Sequence, residues 1–234
     1  MVVVVSSKLA PTCTFCVSIG NAAARDSDAI VSIVSPQAES VLELFRSTGA
    51  YLEGHFRLTS GLHSAEYLQC ALVLQHPPAA EKLGRLLAEE LRGLVGGLVI
   101  GPIGLVVSPA LGGLIIGHEV ARALGTRFLF TERDAATGKM ALRRGFTISP
   151  GERAVVVEDV ITTGGSTCDT IEVLSQCGAK VLAAGSIIDR SGGRADVGVP
   201  RAALATLQVA AHYPQDCPLC HRGIPVVKPG SRPV

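Results

Sequence analysis

From about residue 104 the chain alternates apolar runs with amphipathic ones, and this alternation constrains the fold more than any other feature. A strand near 104–108 enters the loop "PALGG", and a helix over about 113–124 follows and stops at Gly125. "TRFLF" and "RAVVVED" read as further strands, "STCDTIEVLSQC" as a helix closed by Gly178, and "KVLAAGSIID" as the next strand. Parallel strands need a crossover, so this order specifies an α/β fold: a parallel sheet flanked by helices on both faces. Ligands of such sheets sit beyond the carboxyl ends of the strands, where both glycine loops fall.

Upstream, Ser35 is placed to cap a helix over 36–48, with Pro36 at its first position, Val41, Leu42, Leu44 and Phe45 at helical spacing, and Gly49 ending it. Alternating stretches at 56–59 and 66–70, split by Ser60, Gly61 and His63, predict a hairpin. "AEKLGRLLAEELR", 80–92, predicts an amphipathic helix with Leu83, Leu86, Leu87 and Leu91 on one face. Residues 1–35 carry no defensible period and read as a disordered or artefactual extension, leaving 36–234 as one domain.

Hydrophobic residues make up 47% of the chain, enough for a substantial core, and the apolar run at 93–117 is broken by Pro102, Pro109 and several glycines, which excludes a spanning helix. Twenty-one basic against twenty acidic residues leave a net charge of +1, so no global field points to nucleic acid or an anionic membrane. An anion bound here must be held by local geometry. Seven cysteines and no export signal read as reduced thiols in a cytoplasm. Cys13 with Cys16 and Cys217 with Cys220 form two CxxC pairs that together have the ligand set for one zinc ion. They are far apart in sequence, and "DCPLCHRGIP" is read instead as a proline-stiffened turn, so no metal ligand is assigned to any side chain.

Most of the chemistry lies in "VVVEDVITTGGST", residues 155–167. The strand is expected to end after Val157, releasing Glu158 and Asp159 at its carboxyl edge, where carboxylates accept from a vicinal diol or lie near a metal-bound sugar. Thr162 to Ser166 then open a helix whose unpaired amides, with Gly164 and Gly165 allowing close approach, form a pocket for a phosphate monoester. A diol acceptor beside a phosphate pocket describes ribose 5-phosphate. No GK[ST] follows and GxGxxG is missing, so neither a Walker loop nor a dinucleotide fingerprint is present.

This stretch resembles the phosphoribosyl-pyrophosphate signature of the type I phosphoribosyltransferases. With "FRLTSGLHSAEYLQC", "RFLFTERDAATGKMALRRGF", "IIDRSGG" and "CPLCHRGIPVVKPGSR", the chain is similar over residues 37–232 to the orotate phosphoribosyltransferases. The resemblance implies that Glu158, Asp159, Val160, Ile161, Thr162, Thr163, Gly164, Gly165 and Ser166 hold the ribose 5-phosphate part of the donor, and that Thr162 and Arg190 contact orotate. An arginine is a rigid forked donor suited to a carboxylate, although a strand-end arginine by itself more often forms a surface ion pair. The segment 132–145, with Glu132, Arg133, Asp134, Lys139, Arg143 and Arg144, is similar to a mobile loop that closes over pyrophosphate, often in the partner subunit; Arg133 and Lys139 are assigned that role.

"SPALGG" would face the pyrophosphate. A small N-terminal hood beside the parallel sheet, Mg2+ as cofactor, a homodimer and the transfer of a phosphoribosyl group to orotate, in pyrimidine biosynthesis, are further implications. The chain departs from well-known members at Thr59 and Gly112, where many have lysine. A purine phosphoribosyltransferase, a non-catalytic regulator that binds the same donor, and a sugar-phosphate or nucleotide-binding module without turnover stay as alternatives. Because residues 1–35 hold none of these motifs, deleting them is expected to leave activity and melting temperature nearly unchanged, as measured on the truncated enzyme beside the full chain.

Overall fold

The computed structural model describes residues 35–58, 60–96 and 101–229. Ser35 belongs to the domain: its hydroxyl accepts from the Ala38 amide at 3.1 Å and caps α1 (Pro36–Ser47), so the expected boundary moves one residue back and a truncation that keeps the melting temperature has to retain Ser35. The other residues of the expected extension, with Cys13 and Cys16, lie outside the described residues, as does Thr59.

Two strands follow, β1 (Tyr51–Arg57) and β2 (His63–Leu68), antiparallel with Tyr51 opposite Leu68 and Arg57 opposite His63. The hairpin forms, but offset from the expected stretches. The alternation around Phe56 and Glu66 marked the strands, while the turn is set by Gly61, whose φ of +83° suits glycine and whose amide donates to Leu58 O. Cys70, expected to end the second strand, instead opens the short helix α2 (Cys70–Leu74). Next come α3 (Pro77–Gly96), longer than the expected 80–92, and β3 (Leu105–Pro109). α4 (Gly113–Leu124) ends at Gly125 as expected, with φ +69°.

β4 (Arg127–Arg133) and β5 (Met140–Leu142) form a hairpin within what the sequence suggests is a polar loop. β6 (Arg153–Ile161), α5 (Gly165–Gln176), β7 (Lys180–Asp189) and β8 (Arg201–Thr206) complete the main sheet. The chain then returns to the hood through β9 (Ala211–His212) and ends in α6 (Pro218–His221).

The main sheet has the order β5-β4-β3-β6-β7-β8, parallel except for β5, and the hood sheet has the order β1-β2-β9. Side chains alternate faces along a strand, and the two cores follow from that period. Val106, Val155 and Val157 face α1, α3 and α4, while Leu105, Val107, Ala154 and Val156 face Leu174 of α5 and Val197. Both faces are covered, which is why the central strands read as unbroken apolar runs. Leu83, Leu87 and Leu91 of α3 are fully buried, each contributing about 1.5–3 kcal/mol.

α3 crosses α4 at Gly84, where an added Cβ would lie 2.5 Å from Glu119 Cβ and 2.8 Å from its carbonyl carbon. Helix backbone cannot retreat here without disturbing the core that α3 and α4 share. Gly84→Ala is therefore expected to lower stability by about 1–3 kcal/mol despite the better helix propensity of alanine, read from the midpoint of urea unfolding.

Candidate active site

The site grows from a difference in strand length. β3 pairs with β6 only as far as Val156, whereas β7 pairs with it through Glu158–Ser186, Val160–Ile188 and Ile161–Asp189. The strand therefore does not end after Val157. It runs four residues further because β7 continues beside it, and Glu158 and Asp159 sit on a projecting rib open on the β3 side.

Neighbouring residues of that rib point to opposite faces. Glu158 turns toward α5, where its carboxylate accepts from the hydroxyl of the buried Thr167. Asp159 turns toward the loop after β3: a Cβ on Gly112 would come within 2.5 Å of its Oδ1. Gly112 thus fits against a carboxylate that a side chain at 112 would have to displace. The same loop holds a cis peptide between Ala110 and Leu111.

Burial pushes Glu158 up to about 7, with the neighbouring Asp159 adding to the rise and Thr167 and Arg133 opposing it. Asp159 is also raised by burial, against hydrogen bonds from backbone amides.

Thr162 and Thr163 are exposed, and Gly164 caps α5 at φ +82° with its Cα against Val197 Cγ1. The first intrahelical bond runs from Cys168 N to Gly164 O, so the amides of Gly165, Ser166 and Thr167 have no acceptor within the helix. They form the positive end of a twelve-residue helix beside two exposed threonine hydroxyls, an arrangement suited to a phosphate.

Arg190 follows β7 and is tied to the rib through its amide, which donates to Ile161 O at 2.8 Å. Its Nε is buried with no hydrogen-bond partner, and the side chain forms no ion pair among the described residues, unlike an ordinary surface arginine. Burial pulls its pKa down, opposed by the fields of Tyr67, Glu66 and Cys70, which places the guanidinium under the hood strand β2. Cys70 Sγ lies 4.0 Å from Asp159 O and joins the same region.

The DRSGG turn is held by Asp189, 1% exposed, which accepts from Ser191 N at 2.7 Å, Ser191 Oγ at 2.6 Å and Gly193 N at 3.2 Å and pairs with Arg201 at 2.6 Å. Burial would raise the Asp189 carboxyl, but these donors hold it below its ordinary value. Asp189, Thr167, Tyr67 and Cys70 were not singled out from the sequence. Only Asp189 left a signal, an acid at a strand end before Ser and Gly.

The basic segment is more ordered than its composition suggests. Asp134 Oδ1 accepts from the Ala136 and Thr137 amides, Glu132 grips Arg144 through two bonds, and Arg143 lies 3.6 Å from Asp134. Arg133 reaches the donor loop, 2.8 Å from Asp169 and 3.4 Å from Ser166 Oγ. Lys139 does not. It stands exposed near the hairpin tip with no ion pair among the described residues, beside a cleft of about 440 Å³ against Asp169, Glu172 and Gln176.

The sign of the Glu158 shift gives a stability prediction. A folded-state pKa near 7 against 4.5 unfolded means the fold takes up a proton as pH falls, so stability is highest below about 4.5 and is lost as pH rises through 7. At pH 8 the penalty is on the order of 2–3 kcal/mol at most. Glu158→Gln is expected to flatten the fall in urea midpoint that the parent chain should show between pH 5 and 8.

Residues 71–201 match the phosphoribosyl transferase domain family. The chain is 53% identical over 196 residues to the orotate phosphoribosyltransferase of Pelotomaculum thermopropionicum, covering 84% of this chain and 98% of that protein. It is 50% identical over 196 residues to the enzyme of the same name from Desulforamulus reducens, with the same two coverages. Among solved structures, orotate phosphoribosyltransferase from Aeropyrum pernix superposes with a TM-score of 0.59 at 28% identity, over 72% of this chain and 94% of that one. The strand-end acids, the glycine-capped helix and the hood over Arg190 are thus features of a chain that belongs to the orotate phosphoribosyltransferase family.

Proposed function

We propose that the chain transfers the 5-phosphoribosyl group of phosphoribosyl pyrophosphate to a ring nitrogen of orotate, giving orotidine 5'-phosphate and pyrophosphate. One observation carries the choice of acceptor: the half-buried Arg190, whose buried Nε has no hydrogen-bond partner among the described residues and whose guanidinium lies under the hood beside the donor loop. A planar anion would complete that guanidinium, and the orotate carboxylate matches its fork. Thr162, exposed at the end of the rib, is assigned to the same substrate.

The α5 amides with Thr163, Gly164, Gly165 and Ser166 hold the 5-phosphate, and Glu158 and Asp159 accept from the ribose hydroxyls on either side of the rib, whose backbone at Val160 and Ile161 sets their spacing. Departure of pyrophosphate leaves positive charge on the anomeric carbon, as in glycoside cleavage. The carboxylates below the sugar and the cations above the leaving group then act by position and field, with no nucleophilic side chain required.

Mg2+ fits this donor set. Asp159 offers hard carboxylate oxygens with no cationic side chain among its described neighbours, next to the close-approach loop at Gly112, and Glu158 lies one residue away. When bound, the ion would neutralise charge on the pyrophosphate. Arg133 and Lys139 supply further positive charge, Lys139 across a homodimer. The exposed apolar side chains of Leu111, 81% exposed, and Ile115, 46% exposed, continue from the pyrophosphate loop along α4 and suit burial against a second copy. No described helix is long and apolar enough to cross a membrane, and the net charge of +1 gives no support to a nucleic-acid partner. A cytoplasmic setting accords with the free thiols.

With phosphoribosyl pyrophosphate and Mg2+, turnover is expected with orotate and not with adenine, hypoxanthine or uracil. Turnover of a purine alone would reverse the assignment. Arg190→Ala is expected to reduce kcat/KM for orotate by a factor corresponding to on the order of 2–3 kcal/mol, while KM for the donor changes little.

For the loop, mixing Lys139→Ala with Asp159→Ala chains should restore activity in hybrid dimers, since one of the two sites then combines an intact pocket with an intact loop. Verified hybrids as inactive as both parents would remove Lys139 from the role.

A further inference from the structure

His55 of β1, His63 of β2, and Cys217 and Cys220 of the C-terminal segment meet at one point, away from the donor loop. Their ligand atoms all lie within 4.8 Å of one another. His55 is 3% exposed, His63 6% and Cys217 1%, and Cys220 is half-buried. In the sequence His63 is only one of the residues dividing the hairpin stretches and His55 has no assigned role, while the CPLC stretch reads there as a stiff turn. It is indeed a turn, with Pro218 opening α6, but one that aims both sulfurs at the two imidazoles.

We propose that these four side chains form a closed, structural zinc site that fastens the C-terminal segment to the hood. Zinc bond lengths of about 2.0–2.1 Å to nitrogen and about 2.3 Å to sulfur require tetrahedral edges of roughly 3.3 Å between nitrogens and roughly 3.6 Å between nitrogen and sulfur. The structure has His55 Nε2 to His63 Nδ1 at 3.0 Å, His55 Nε2 to Cys217 Sγ at 3.5 Å and to Cys220 Sγ at 3.7 Å, and His63 Nδ1 to Cys220 Sγ at 3.2 Å.

The tautomer also fits. His55 Nδ1 lies 2.7 Å from Ile224 O, and a carbonyl can only accept, so Nδ1 carries the proton and the Nε2 lone pair faces the cluster. Two thiolates and two neutral imidazoles suit zinc better than magnesium or calcium, and four protein ligands leave no open position for catalysis.

The segment has reason to need a clamp. After β8 its regular structure amounts to a two-residue strand, a three-residue 3-10 turn (Pro214–Asp216) and the four-residue α6. Backbone bonds tie Val227 to His55 and Arg57, but little apolar burial accompanies them, since Val226 and Val227 are themselves exposed. A metal bridge from Cys217 and Cys220 back to His55 and His63 would close a long loop and hold β2, which continues to Glu66 and Tyr67 above Arg190.

The full chain, prepared reduced and without chelator, is expected to carry one zinc per chain by mass spectrometry of the metal. Cys217 and Cys220 should resist iodoacetamide until a chelator removes the zinc, whereas the exposed Cys177 is alkylated in both states. Cobalt in place of zinc should give the visible d–d bands of a tetrahedral thiolate site. Cys13→Ser with Cys16→Ser should keep the full metal content, and Cys217→Ser with Cys220→Ser should lose it. Should that last pair fail to fold, the alkylation pattern of the parent chain decides. No zinc or cobalt uptake by the reduced protein, unprotected Cys217 and Cys220 in the zinc-loaded chain, or loss of zinc on substituting Cys13 and Cys16 would each overturn the site. None of these readouts depends on the proposed reaction.

Discussion

The parallel pairing of β6 with β7 beyond the end of β3 is the constraint on which the rest of the site depends. Had all three strands ended together, Glu158 and Asp159 would have entered a loop with no fixed facing. Carried on by β7 to Ile161 and Asp189, they alternate faces as strand residues do, so one carboxylate meets Thr167 of α5 and the other meets the loop at Gly112. The same pairing carries Arg190, whose amide closes the ladder onto Ile161 O. The loop that opens α5 and the Arg190 side chain are thereby fixed to one pair of strands. The hood closes over the end of that pair.

The main sheet was legible because its signal is local. Fully buried parallel strands appear as valine runs, helices stop at glycines of positive φ, and α4 and α5 fall close to where spacing and caps put them. Three features were not legible, each for a reason that lies outside the segment concerned. The length of β6 is decided by β7 some twenty-five residues later. The β4–β5 hairpin rests on Asp134 and the Glu132–Arg144 pair, in a stretch whose charges suggest a solvated loop. The hood is completed by β9, a strand of two residues that carries no period to detect.

The candidate site divides along the same line. Its phosphate cradle is a contiguous stretch, and its chemistry could be read from glycines, hydroxyls and a helix start. Partners that arrive from elsewhere could not. Thr167 is an ordinary helix residue until Glu158 is seen against it, and Tyr67 and Cys70 matter only because β2 and α2 lie over Arg190. The CPLC stretch shows the limit most clearly. The repeated CxxC pattern offered Cys13 and Cys16 as its companions and sequence distance argued against them, yet the fold supplies two histidines from a hairpin more than 150 residues upstream. Ligand sets assembled across a sheet are invisible to spacing rules, which apply to turns and helices.

Charge explains why a chain of nearly zero net charge can serve polyanionic substrates. It concentrates a few groups where they are poorly satisfied instead of spreading a positive field. Glu158 is buried enough to hold its proton up to about 7, and among the described residues Asp159 has no cationic neighbour and the buried Arg190 Nε has no hydrogen-bond partner. Each of these costs stability in the free protein, because burial penalises a charge or donor that water no longer serves. Each would be relieved by a group of the proposed substrates: ribose hydroxyls and a divalent ion for the carboxylates, a planar anion for the guanidinium. Three of the four cations in the segment 132–145 are paired with acids of their own chain, and Lys139, which has no ion pair among the described residues, is left for charge that arrives from outside. Affinity in such a site comes from completing defects that the β6–β7 pair and the hood hold in place, and selectivity follows, since a ligand without the matching group leaves the defect exposed.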